Sequence, residues 1–152
     1  LFPAPESRQQ LVTLVILSKY SRKDDGTIVQ TDQALFANDA FYLAFAARDI
    51  GHMDALWARN TPVICLHPGW PALTDRQAVL ASWESILGNP KQPPIEVYNA
   101  EAHILGDTVA VVCYEEINDS VMVATNLFVL EDDRVVLVHH QAGPCGQPPH
   151  RT

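Results

Sequence analysis

Basic residues are scarce in this chain: 10 lysines and arginines stand against 18 aspartates and glutamates in 152 residues, a formal net charge of −8. Nucleic-acid binding wants a basic face, so no such partner is expected. Cysteine is scarcer, and the 3 present (Cys65, Cys113 and Cys145) have no CxxC spacing and an odd count. That argues against a disulfide framework and for reduced thiols, as in a cytoplasmic protein. No apolar run approaches the roughly 20 residues that a membrane helix needs. The run LVTLVIL at 11–17 looks like a signal-peptide core, but it has no basic segment before it and no small-residue cleavage site after it. No HxH or HExxH pattern occurs, so no metal is expected despite 6 histidines. No GxSxG occurs either, and no cysteine has a basic neighbour to lower its pKa, so nucleophilic hydrolysis lacks support.

What is present is the grammar of one soluble domain, with 47% apolar residues. Residues 1–30 read as an arm: a polar start (PAPESRQQ), a possible strand (LVTLVILSKY) and a turn (SRKDDGT). From Thr31 the pattern turns helical. Ala34, Ala37, Phe41, Ala44, Phe45 and Arg48 recur every three or four residues, with Thr31 or Asp32 as the cap and Gly51 as the stop. HMDALWARN reads as a second, short helix and VICLH as a short strand. TDRQAVLASWESILGNP reads as a third helix, with Thr74 and Gln77 as a capping box and Val79, Leu80, Trp83, Ile86 and Leu87 on one stripe.

After Pro94 everything reads as strand: about 95–105, 108–117, 121–131 and 134–142. The breaks at Gly106-Asp107, Asn118-Asp119-Ser120 and Asp132-Asp133 are too short for anything but antiparallel neighbours. Helices first and a meander after make an α+β domain over 31–144, a curved antiparallel sheet packed on three helices, with residues 145–152 as a flexible tail. A long twisted sheet curls, and a curled sheet over a few helices leaves a cone with a hollow end.

Two-residue turns at Asp132-Asp133 and Asp119-Ser120 set a register. Asn126 then lies opposite His139 and beside Cys113, while Thr125 lies opposite His140 and beside Tyr114. One face carries Cys113, Asn126 and His139, with Glu115 toward the end; the other carries Tyr114, Thr125 and His140, with Glu116 toward the end. A slip of one residue would scramble these rows.

The segments AFYLAFAARDIGHMDALWA, PVICLHPGW, LTDRQAVLASWESIL, ATNLFVLEDD and VVLVHHQAG, in this order, resemble the SnoaL-like branch of the nuclear transport factor 2-like superfamily. The most specific single piece is HPGW followed by a capped helix carrying SW; the VHH ending is common in the superfamily. The chain departs where many relatives have Gly (Asp75) and Trp (Val135). The resemblance implies a cystatin-like cone, usually dimeric, with a pocket between the first helix, the HPGW loop and the concave face of the sheet. The last strand is also similar to that of the calmodulin-dependent kinase association domain, which ends in Val-His-x-His with the middle residue facing the cavity. Carried over, His140 faces the cavity with Tyr114 and Thr125, and His139 with Asn126 faces the dimer side.

Two functions follow as expectations. One is a cofactor-free isomerase, cyclase or dehydratase of a small hydrophobic molecule, with His140 and Glu116 as acid–base residues. His67, Trp70, Tyr114, Thr125, Asn126 and His139 would contact the ligand. No Asp lies mid-strand to match the buried Asp base of the superfamily's isomerases. The other is a homodimeric binding module that holds such a ligand without turning it over. In a third arrangement the amino-terminal strand completes a neighbour's sheet.

Overall fold

A computed structural model describes residues 29–152. The arm strand expected at 11–20 lies outside the described residues. Helix α1 (Thr31–Ala47) is capped one residue before the earlier of its two expected caps: Gln30 is the N-cap, and the Gln33 side chain accepts from its backbone N–H at 3.0 Å. α1 stops at Arg48, not at Gly51, with φ of 55° at the left-handed cap. Arg48 holds that conformation with help from its guanidinium, which donates to the carbonyls of Leu87, Asn89 and Gln92. Those carbonyls belong to the end of α3 and the loop after it, where the helix dipole favours a cation.

Gly51 instead sits inside α2 (Ile50–Leu56), which is capped by the Asp49 carboxylate accepting from His52 N at 2.9 Å. After the short strand β1 (Ile64–Leu66), α3 runs from Arg76 to Gly88. Its cap is Asp75, accepting from Ala78 N at 3.0 Å, and not the expected Thr74 box. Asp75 thus serves the helix start.

Strands β2 (Glu96–Leu105), β3 (Thr108–Ile117), β4 (Ser120–Glu131) and β5 (Arg134–Pro144) form the expected meander. The sheet is mixed, because β1 adds to the edge of β5 in parallel, giving the order β1-β5-β4-β3-β2. The three helices pack on one face, so the α+β cone is as expected. Phe41, Met53, Trp57, Val79, Phe128 and Leu137 are nearly or fully buried between the layers. Each such side chain contributes about 1.5–3 kcal/mol by leaving water. Val135 is half-buried and packs against this core.

Two turns and one bulge decide which side chains face the helices. Ile117 pairs with Ser120, so the β3–β4 turn is Asn118-Asp119, with φ of 48° and 64°. Glu131 pairs with Arg134 around Asp132-Asp133, as expected. Farther along, the β4–β5 register shifts between Leu127 and Phe128: Phe128 faces Leu137, but Leu127 faces His139. Val138 is the extra residue, a β-bulge. Beyond it Asn126 pairs with His140, not His139, and Thr125 pairs with Gln141.

Candidate functional site

The bulge brings His140 onto the concave face together with Asn126, and β3 adds Cys113 and Glu115 to that face. These four are buried polar or sulfur groups inside an apolar layer, where each must find partners. Asn126 is the hub. Its Nδ2 donates to Asn38 Oδ1 at 2.8 Å and to Tyr42 Oη at 3.3 Å, and its Oδ1 lies 2.6 Å from His140 Nδ1. Tyr42 Oη donates to Glu115 Oε1 at 2.6 Å and lies 3.3 Å from Cys113 Sγ. His140 and Glu115 are therefore joined through one amide and one phenol.

A cavity of about 480 Å³ opens on this network. Phe41 and Phe45 of α1, Trp83 of α3, and Glu115, His140 and Ala142 of the sheet form much of its wall. His67 and Trp70 of the HPGW loop line it as well. Gly69 turns that loop with φ of 78°, a conformation open to glycine. The turn leaves His67 buried and Trp70 47% exposed, with the two rings edge-to-face at 5.0 Å. His67 Nε2 lies 2.8 Å from Ser82 Oγ, whose own hydrogen goes to Val79 O at 2.6 Å. Trp83 packs against both imidazoles, its ring centre 4.7 Å from His67 and 5.5 Å from His140. Its indole Nε1 is buried with no hydrogen-bond partner.

Burial dominates the electrostatics. It pushes the His140 imidazole down to about 3, helped by His67 and His139, and the His67 imidazole down to about 4. Both rings are thus neutral near pH 7. Burial raises the Glu115 carboxyl above its ordinary value, opposed in part by the Tyr42 hydrogen bond. It also pushes the Cys113 thiol up to about 11 and the Cys65 thiol to about 12, so neither is a ready nucleophile.

The residues singled out from sequence divide sharply. His140, His67 and Trp70 line the cavity, and Asn126 stands directly behind His140. Glu116, Tyr114, Thr125 and His139 do not reach it. Glu116 lies on the convex face, where Arg151 bridges it to Glu96. Tyr114 stacks on Tyr98 there at 5.5 Å. Thr125 and His139 are half-buried on the same side, His139 alongside Ile64 of β1. The expected companions of His140 were therefore wrong, because the unforeseen bulge exchanges its face with that of His139.

Sequence reasoning missed Glu115 and Tyr42. Glu115 has a signal: it follows Val109, Val111 and Cys113 at alternate positions and so falls on their apolar face. Tyr42 has none, since a tyrosine beside the apolar stripe of a helix reads as packing. Among the described residues, no three of His, Cys, Asp and Glu gather as a metal site would require. No helix among them is long and apolar enough to cross a membrane.

No curated protein matches the chain. Among solved structures it is similar to a protein of the NTF2-like family from Streptomyces avermitilis, named as a candidate dehydratase. The two share 31% identity over 76% of this chain and 95% of that one, with a TM-score of 0.68. It is similar also to a Thiobacillus denitrificans protein named as a candidate calcium/calmodulin-dependent protein kinase type II association domain. Here identity is 34% over 78% of this chain and 98% of that one, with a TM-score of 0.62. The CaMKII hub of S. rosetta, at 16% identity over 77% of this chain and 98% of that one and a TM-score of 0.62, shares the fold alone. The model of the SnoaL-like domain matches residues 35–144, most of the chain and all of the cavity wall, and the protein belongs to that family, within the NTF2-like superfamily.

Proposed function

We propose that the chain binds a small, mostly apolar molecule in the cone and moves a proton on it without a cofactor. Glu115 is the acid–base group and His140 its neighbour on the wall. The observation that carries this reading is the Glu115 carboxyl: buried at the cavity wall, raised above its usual range and held by Tyr42. A general base works best with a pKa near working pH, and an apolar site raises a carboxyl toward it. The volume suits one small ligand. In an isomerisation Glu115 would take a proton from carbon and return it elsewhere on the molecule. In a dehydration it would take the proton and return it to the departing hydroxyl as water. The likeness to the candidate dehydratase supports this class of chemistry.

The test is solvent exchange. Small cyclic β-hydroxy ketones and β,γ-unsaturated ketones are incubated with the protein in D2O, and deuterium at the carbon next to the carbonyl is followed by NMR. Exchange above buffer that disappears in Glu115→Gln supports the proposal. No exchange with any member, or equal exchange in the variant, ends it.

A second reading, a homodimeric binding or assembly module, draws on the 34% identity to the candidate association domain. It draws also on the convex face, where Ile64 is 42% and Val123 36% exposed. Light scattering tests the dimer: Val123→Glu should yield a monomer, and an unchanged mass would discard that face.

A further inference from the structure

We infer that the molecule held in the cone is uncharged and carries at least two hydrogen-bond donors, hydroxyl or N–H, on its apolar body. This rests on reading the cone as a small-molecule site and names what such a site selects.

The argument is a count of hydrogens. An amide NH2 has two, and Asn126 points Nδ2 at Asn38 Oδ1 and Tyr42 Oη. Its Oδ1 can only accept, so His140 donates from Nδ1. A neutral imidazole with one N–H has a lone pair on the other nitrogen, and His140 Nε2 receives no hydrogen from any described residue. At His67 the logic runs the other way around the ring. Ser82 has a single hydrogen and gives it to Val79 O, so its Oγ accepts from His67 Nε2. The lone pair then sits on His67 Nδ1, again with no donor among the described residues. Two buried rings with centres 6.4 Å apart line one cavity, each turning its N–H into the protein and keeping an acceptor in hand.

Glu115 stands on the same wall with Tyr42 donating to Oε1. Burial favours its neutral form, whose one hydrogen then rests on Oε2, so the unmet acceptors are the two imidazole nitrogens. Among the described residues no lysine or arginine lines the cavity, so an anion would lose its water with no cation to meet it. A cation would have to shed its water in an apolar space where both imidazoles are neutral and burial disfavours the ionised form of Glu115. What remains is a neutral molecule that supplies the missing hydrogens. A buried acceptor left without one costs more than the bond itself is worth.

The experiment uses trans-1,4-cyclohexanediol, its monomethyl and dimethyl ethers, cyclohexanecarboxylate and cyclohexylammonium as probes. Binding to the full chain is read from the Trp83 indole and His140 imidazole NMR signals. The diol should bind tightest, each methylation should weaken binding about fivefold, and both charged rings should bind more weakly than the diol. In parallel, the imidazole 15N shifts of the unliganded protein should show a proton on His140 Nδ1 and on His67 Nε2. A dimethyl ether that binds as well as the diol, a charged ring that binds better, or the opposite tautomer in either ring overturns the inference while leaving a ligand cavity in place. If none of the five moves either signal, the cavity reading itself fails and takes this inference with it.

Discussion

Glu115 and Glu116 are neighbours in sequence, as are Thr125 and Asn126, and His139 and His140. In each pair one side chain belongs to the concave face of the sheet and the other to the convex face. On the concave side Glu115, Asn126 and His140 are buried and joined through Tyr42 into one network at the cavity. On the convex side Glu116 pairs with Arg151 beside solvent, and Thr125 and His139 are only half-buried. Residue type is the same within two of the three pairs, yet the surroundings differ. Chemistry at this sheet is assigned by face, and face is assigned by register.

The comparison breaks most visibly at the two glutamates. Glu115→Gln should lower the D2O exchange described above by at least about a hundredfold, the usual worth of a positioned general base. Glu116→Gln should leave it within about twofold. Equal losses would mean that the two faces do not differ in chemistry.

The next contrast is in stability. Asn126→Ala strips the partner from the buried His140 Nδ1, from Asn38 Oδ1 and from Tyr42, and should cost about 3 kcal/mol in urea unfolding. Thr125→Ala should cost less than about 1 kcal/mol. Similar costs would deny that the network is what burial makes expensive.

Acidity separates the faces more gently. The folded values of His140 and His67, about 3 and about 4, lie below the ordinary 6.5. The unfolded chain therefore takes up protons first as pH falls, and stability drops from pH 7 downward through the folded values. At pH 5 the loss is at most about 2 kcal/mol per imidazole. Glu115 has the opposite sign: its raised value stabilises below the ordinary carboxylate range, and that contribution fades as pH rises. One carboxyl cannot offset two imidazoles, so the net change between pH 7 and pH 5 is a loss. His67→Gln or His140→Gln should flatten the profile of urea midpoint against pH more than His139→Gln does. A profile equally altered by all three would contradict the assignment of faces.

The smallest effect concerns the turn that sets β3 against β4. Asp119 sits at φ of 64°, a region that aspartate tolerates but that glycine enters at less cost. Asp119→Gly makes an Asn-Gly turn and should stabilise by about 0.5–1 kcal/mol, read from the urea midpoint. A destabilised variant would show that the turn is held by the aspartate side chain instead.

Helices, strands and turns were legible because each is written locally. Alternating apolar residues in 108–117 allow only a half-buried strand, and Asp132-Asp133 allow only a tight reversal. The error at the β3–β4 turn was harmless. Moving it by one position shifts the pairing by two residues, so Cys113 faces Ala124 instead of Asn126 but stays on the same side of the sheet. The Val138 bulge was not harmless, because one inserted residue reverses the facing of everything beyond it. Nothing in VVLVHH marks the bulge. It sits where Leu137 bridges Trp57 and accepts from Ala58 N, just before β1 joins β5, and that is a contact between distant parts of the chain.

By itself the sequence determined the α+β order, the cone and the apolar character of its lining, since periodicity and turn chemistry act over a few residues at a time. Only the tertiary structure decided which glutamate and which histidine look inward, and that Tyr42 ties them together. Those choices depend on strand register and on helix-to-sheet contacts, where residues such as 42 and 115 meet across distances that no local pattern records.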